Sequence, residues 1–200
     1  MGEQMRRLDA VRERLRPVIA EIAAGTVARE KDHELPFAQV TALRAAGFGR
    51  LRLPIEHGGF GLDWESFAEV LIELAAADSN LPQIFRGHIA YVEHILAATP
   101  SERRSRWLER IADGELVGNA WSENGAAAVG TNATRVTRRP DGSWRVDGRK
   151  FYTTGSIFAE WIDATVDLDG TTVTALIRRH QDGVETVSYT HLRAHETKAN

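Results

Sequence analysis

The chain has 200 residues, with 25 Lys and Arg against 28 Asp and Glu, and a formal net charge of −3 at neutral pH. Apolar residues make up 42% and charged residues 26%, the balance of an ordinary globular protein, with no basic excess to favour nucleic acid as a partner. The absence of cysteine excludes disulfides and thiolate metal sites, and no apolar stretch is long enough to span a bilayer.

The first sixteen residues are charged throughout and carry no apolar signal core, so a cytoplasmic protein is expected. From Met5 to Ala24, apolar residues recur at Leu8, Val11, Leu15, Val18, Ile19 and Ile22, which is helical spacing. Pro36 suits the first turn of a second helix, Phe37 to Ala46, which Gly47 ends. Pro54 with Gly58, Gly59 and Gly61 makes 51–62 a loop. Trp64 to Ala77 is helical, with Phe67, Val70, Leu71 and Leu74 on one face, and Asp78-Ser79-Asn80 breaks it. Gln83 to Ala98 reads as a fourth helix and Glu102 to Ala112 as a fifth, with Ser101 as its N-cap. Glu73, Asp78 and the charge run from Glu102 to Arg110 read as solvated helix faces.

The pattern changes near Asp113-Gly114. Residues 129–139 and 143–154 are rich in β-branched and aromatic side chains, and Pro140-Asp141-Gly142 between them predicts a hairpin. Trp161 to Leu168 and Thr171 to Ile177 predict a second hairpin around Asp169-Gly170. The expectation is an α+β chain: an all-α N-terminal domain over 1–114, then an antiparallel β-domain over 115–186. From Val187 no strand or helix period is legible. That string resembles the conceptual translation of a sequencing adapter, so 187–200 is expected to be a non-native tail, and His191 with His195 is not expected to bind metal.

Two segments can carry chemistry. Gly118-Asn119-Ala120-Trp121-Ser122-Glu123-Asn124-Gly125 lies at the helix-to-strand junction, where a loop presents backbone N–H groups and a hydroxyl to a ligand. Lys150-Phe151-Tyr152-Thr153-Thr154-Gly155 ends a hairpin strand. Each alone is ordinary turn chemistry. No phosphate-binding glycine loop and no metal-ligand cluster is present in the sequence.

In order along the chain, these segments resemble the acyl-CoA dehydrogenases. Leu43-Arg44-Ala45-Ala46-Gly47-Phe48 and Leu53-Pro54-Ile55-Glu56-His57-Gly58-Gly59-Phe60-Gly61-Leu62 are similar to that family's helix-loop signature. Trp107 to Gly114 with Ala120-Trp121-Ser122-Glu123 resembles the approach to its flavin-binding strand, and Lys150 to Gly155 its second flavin-contacting strand. The resemblance covers residues 5–186. It implies a helical domain, a middle β-domain and a C-terminal four-helix domain that lies outside this chain. It also implies flavin contacts at Asn119, Trp121, Ser122, Tyr152, Thr153 and Thr154. Tyr152 takes the place of the family's ring-packing tryptophan. The helix carrying Gln83 and His88 would face the substrate cavity, and His88 could act on substrate there; read without the family, His88 is a helix-surface histidine.

The departures from the family pattern select a branch. Dehydrogenases usually read Thr/Ser-Glu-Pro-Gly-Ala-Gly-Ser-Asp, whereas this chain continues Ser122-Glu123-Asn124-Gly125-Ala126-Ala127-Ala128. Ala128 offers no donor to a pyrophosphate, which argues for FMN over FAD. Asn119, Asn124 and the run from Phe151 to Ala159 resemble the dibenzothiophene and dimethylsulfone monooxygenases. The branch implies reduced FMN, a small organosulfur or aromatic substrate, a separate flavin reductase, a homotetramer, and no nucleic-acid or membrane partner. Two alternatives stand beside it. One is an FAD-dependent acyl-CoA dehydrogenase whose base lies in the C-terminal domain. The other is an inactive fragment.

Overall fold

The structure, a computed structural model that describes residues 2–124 and 132–188, begins with a long helix, α1, Glu3–Asp32. Leu8, Val11, Leu15 and Ile22 form its buried stripe. The helix runs past the expected end at Ala24 because a tertiary contact holds the extra turns. Arg29 is buried and pairs with Asp78 at 3.1 Å, while also donating to the Ile22 carbonyl and the Thr26 hydroxyl. Asp78, expected to be solvated, is therefore a buried member of an ion pair. A buried charge is tolerated only when paired in this way. His33, in the left-handed region with φ 54°, ends α1.

Four more helices follow where local signals place them. Helix α2, Phe37–Ala45, stops at Gly47, whose φ of 87° few other residues adopt. The segment expected to be irregular contains a short 3-10 turn at Ile55–His57, just after another at Phe48–Arg50. Helix α3, Trp64–Ala77, is capped by the Asp63 carboxylate, which accepts from Ser66 N–H at 2.9 Å. Helix α4, Asn80–Ala97, starts three residues early because Asp78 also accepts from Asn80 N–H. Helix α5, Glu102–Ala112, is capped by Ser101 as its sequence predicts.

The strands are β1 (Val117–Ala120), β2 (Arg135–Arg138), β3 (Trp144–Asp147), β4 (Trp161–Leu168) and β5 (Thr171–Arg178). Both expected hairpins form: β2 pairs with β3 and β4 with β5, each antiparallel. The sheet is nevertheless mixed, not purely antiparallel. β1 lies parallel to the first half of β4, and β2 joins β4 in parallel further along. The chain leaves β1, makes the β2–β3 excursion and re-enters the sheet in the direction it left. β1 escapes sequence reading because its four residues are all buried and show no alternation.

Two cores fix where the sheet sits. One lies among α1, α2, α3 and α4 around Phe48, Phe67 and Phe85. The other joins α4 and α5 to β1 and β4 through the edge-to-face stacks of Trp107 on Tyr91 and on Trp161, at 4.9 and 5.1 Å. Glu160 closes the joint. It pairs with Arg44 of α2 and accepts from Leu116 N–H at 2.8 Å. The opposite face of β4 presents Ile162, Ala164 and Val166 to a third cluster within the sheet.

Candidate functional site

The two motif segments lie side by side. Phe151 N–H donates to the Ser122 carbonyl at 2.9 Å, and Asn119 N–H donates to the Thr154 carbonyl at 3.2 Å. Between these two braces the second segment turns. Tyr152 sits in the left-handed region with φ 55°, and its carbonyl accepts from Thr154 N–H at 2.9 Å. A bulky residue held there stores strain, which persists only where its surroundings enforce it. Glycines allow the close approach. A Cβ on Gly118 would lie 2.4 Å from the Ser156 Cα, and one on Gly155 would lie 2.4 Å from the Ile84 carbonyl oxygen of α4. Ser156, wholly buried, donates to the Asn119 carbonyl at 3.1 Å and locks the pair from beneath.

The result is an open shelf. Trp121 and Tyr152 are exposed at its surface at 38% and 55%, with Ser122 exposed between the strands and Thr153 and Thr154 half-buried beside them. Asn119 contributes its backbone only. Its side chain turns under the shelf against Gly87 of α4, and its Oδ1 has no hydrogen-bond partner among the described residues.

His88 is not on this shelf. It is buried, its Nε2 meets the Gly49 carbonyl at 2.7 Å, and its Nδ1 accepts from Val117 N–H at 3.2 Å. Both ring nitrogens are thus engaged with backbone. Burial pushes its pKa down to about 4, so the ring is neutral at pH 7. The ring is a strut between α4, the 48–50 turn and β1, and the catalytic role expected for it is withdrawn: no nitrogen is left to meet a substrate. Gln83 is exposed elsewhere on the same helix. It lines an open groove of about 600 Å³ between α3 and α4, with Trp64, Leu71 and Arg86. The structure thus places His88 in the core and Gln83 at the groove.

Three charged residues escaped the sequence reading. Glu123 and Lys150, one from each motif, form an ion pair at 2.6 Å with side chains 12% and 8% exposed. Glu123 also accepts from Ala133 and Thr134 N–H at 2.6 and 3.0 Å. Burial alone would raise this acid, but the ammonium and the two N–H groups outweigh it and hold it at about 2. Lys150 also reaches Asn132 and Thr165. Their opposite charges inside the two motifs were the available signal. The third residue is Asp163, which accepts from the Trp121 indole N–H at 3.0 Å. Burial raises its pKa, against the Trp121 hydrogen bond and the nearby His94 and Arg103. Ala128, which carries the FMN preference, lies outside the described residues, as do 189–200 of the expected tail.

Comparison with known proteins gives the following. The family described as "Acyl-CoA dehydrogenase, N-terminal domain" matches residues 2–115. A dibenzothiophene monooxygenase from Rhodococcus erythropolis is 32% identical over 134 residues, 66% of this chain and 32% of that protein. The mitochondrial short-chain specific acyl-CoA dehydrogenase of Homo sapiens is 26% identical over 150 residues, 74% of this chain and 35% of that enzyme. Among solved structures, FMN-bound TdsC from Paenibacillus sp. A11-2 superposes with a TM-score of 0.74 at 28% identity, covering 89% of this chain and 45% of that one. The chain thus spans about a third of the length of these curated relatives.

Proposed function

The chain belongs to the acyl-CoA dehydrogenase family, and from that premise we propose that the complete protein is a monooxygenase using reduced FMN to oxidise a small organosulfur or aromatic compound. The observation that carries this reading is the shelf itself. Two backbone braces bring the segments carrying Trp121, Ser122, Tyr152, Thr153 and Thr154 side by side, with Trp121, Ser122 and Tyr152 exposed and Thr153 and Thr154 half-buried. Two exposed aromatic faces and three hydroxyls suit a flat ring with polar edges. Trp121 and Tyr152 would wall the ring, and the Ser122, Thr153 and Thr154 hydroxyls would hold its polar rim. Reduced FMN, when bound, supplies the electrons that activate dioxygen. The likeness to a dibenzothiophene monooxygenase supports this branch.

The same reading takes the helical domain as 1–114, the β-domain as 115–186 and 187–200 as a non-native tail. It takes the protein as a cytoplasmic homotetramer served by a separate flavin reductase. No helix among the described residues is long and apolar enough to cross a membrane. A second reading, an FAD-dependent acyl-CoA dehydrogenase, is favoured by the likeness to the human enzyme. By itself the 200-residue chain should bind flavin weakly, because the shelf is open.

Flavin titration of a full-length protein carrying this chain tests the reading. FMN should bind more tightly than FAD, and clearly tighter FAD would restore the dehydrogenase. Ser122→Ala and Thr154→Ala should each weaken FMN by about 0.5–1.5 kcal/mol, the worth of one hydrogen bond. Unchanged affinity in both variants would show that the shelf does not hold the ring.

A further inference from the structure

The Trp121 indole is held from below by a single bond, its N–H to Asp163 Oδ2 at 3.0 Å. Asp163 stands opposite Asn119 in the parallel register of β1 and β4. Trp121, two residues after Asn119, leaves β1 on the same side and reaches across to the carboxylate. Val117 and Trp161, two residues before Asn119 and Asp163, both sit in the core beneath α4 and α5, while His94 and Arg103 lie near the carboxylate without a hydrogen bond to it among the described residues. A carboxyl group 8% exposed in such a place is costly unless its bonds repay the loss of water. Its other oxygen, Oδ1, has no hydrogen-bond partner among the described residues. Among the described residues the indole bond is thus the only hydrogen bond the side chain makes, and it ends on an aromatic residue of the shelf.

We propose that Asp163 is a positioning residue, which fixes the Trp121 indole and so sets the aromatic wall of the shelf. The inference rests on the reading of the shelf as the flavin site. An indole has only two side-chain torsions, and one anchored N–H removes most of the freedom left to a ring that is 38% exposed. Without an acceptor beneath it, the N–H would turn to water and the wall would tilt.

Asp163→Leu keeps the branch at Cγ and removes the acceptor. Asp163→Asn keeps it, and adds a donor beside the unpartnered Asn119 Oδ1. The readouts are the Trp121 component of the emission, taken as the difference from the matching Trp121→Phe protein, and FMN titration of a full-length protein. In Asp163→Leu the Trp121 component should shift, and FMN should bind about two- to tenfold more weakly. Asp163→Asn should restore both. In a Trp121→Phe background, Asp163→Leu should have no further effect on FMN. An unchanged Trp121 component, or equal weakening in both backgrounds, would overturn the proposal. Should the Leu variant fail to fold, Asp163→Ala makes the same comparison, since it too leaves no acceptor for the indole. If the wild-type protein binds no FMN, the flavin reading falls, while the emission still decides the role of Asp163.

Discussion

Glu123→Gln removes one charge from the brace between the two motif segments. Its cost can be worked out in two ways. In the folded chain the Glu123 acid is held at about 2, against an ordinary value of 4.5. At 1.36 kcal/mol per pKa unit, that difference corresponds to about 3 kcal/mol of stability at neutral pH. Independently, breaking a buried ion pair costs about 3–5 kcal/mol, because the remaining charge stays buried. Here the remaining charge is the Lys150 ammonium, which among the described residues keeps Asn132 and Thr165. Because the folded-state pKa is depressed, this stability is present above the unfolded value. It is lost as pH falls from about 5 towards 2. Denaturant unfolding of wild type and variant at a series of pH values measures it. The gap should be about 3 kcal/mol at pH 7, equivalent to about 6–12 °C in melting temperature, and should close towards pH 2. Replacing Lys150 with Met in the Gln variant should recover part of the loss, since no unpaired ammonium remains. A gap below 1 kcal/mol at pH 7, or one that does not narrow with acid, would refute the reasoning.

Two further outcomes follow from the same geometry. His88→Phe leaves the Gly49 carbonyl and the Val117 N–H without partners and should cost about 2–4 kcal/mol in chemical denaturation. Since burial lowers the folded-state pKa of His88, the neutral ring is favoured, and its contribution is lost as pH falls from the ordinary 6.5 towards about 4. A ring signal titrating near 6.5 in NMR would contradict its burial. Gly118→Ala forces a methyl to within 2.4 Å of the Ser156 backbone and should destabilise by about 2 kcal/mol or more, with loss of FMN binding in a full-length protein. A melting temperature within a degree of wild type would show that β1 and the 155–156 turn can part without cost.

Much of the fold is legible in local sequence. The ends of α3 and α5, the stop at Gly47, and the turns at Asp141-Gly142 and Asp169-Gly170 depend on caps, periodicity and left-handed φ values. Those preferences are set within a few residues of the chain, so a single sequence displays them. The two motif segments were visible too, as residue types. What the sequence could not display were contacts between distant positions. The last turns of α1 depend on Arg29 meeting Asp78, 49 residues away. β1 becomes a strand only because β4 runs parallel beside it. His88 passed for a surface or cavity residue until the Gly49 carbonyl and Val117 N–H took both of its nitrogens. The brace of Glu123 with Lys150 and the anchor of Trp121 on Asp163 were hidden for the same reason. A buried polar group is defined by its partner, and partners brought together by folding leave no period in the chain.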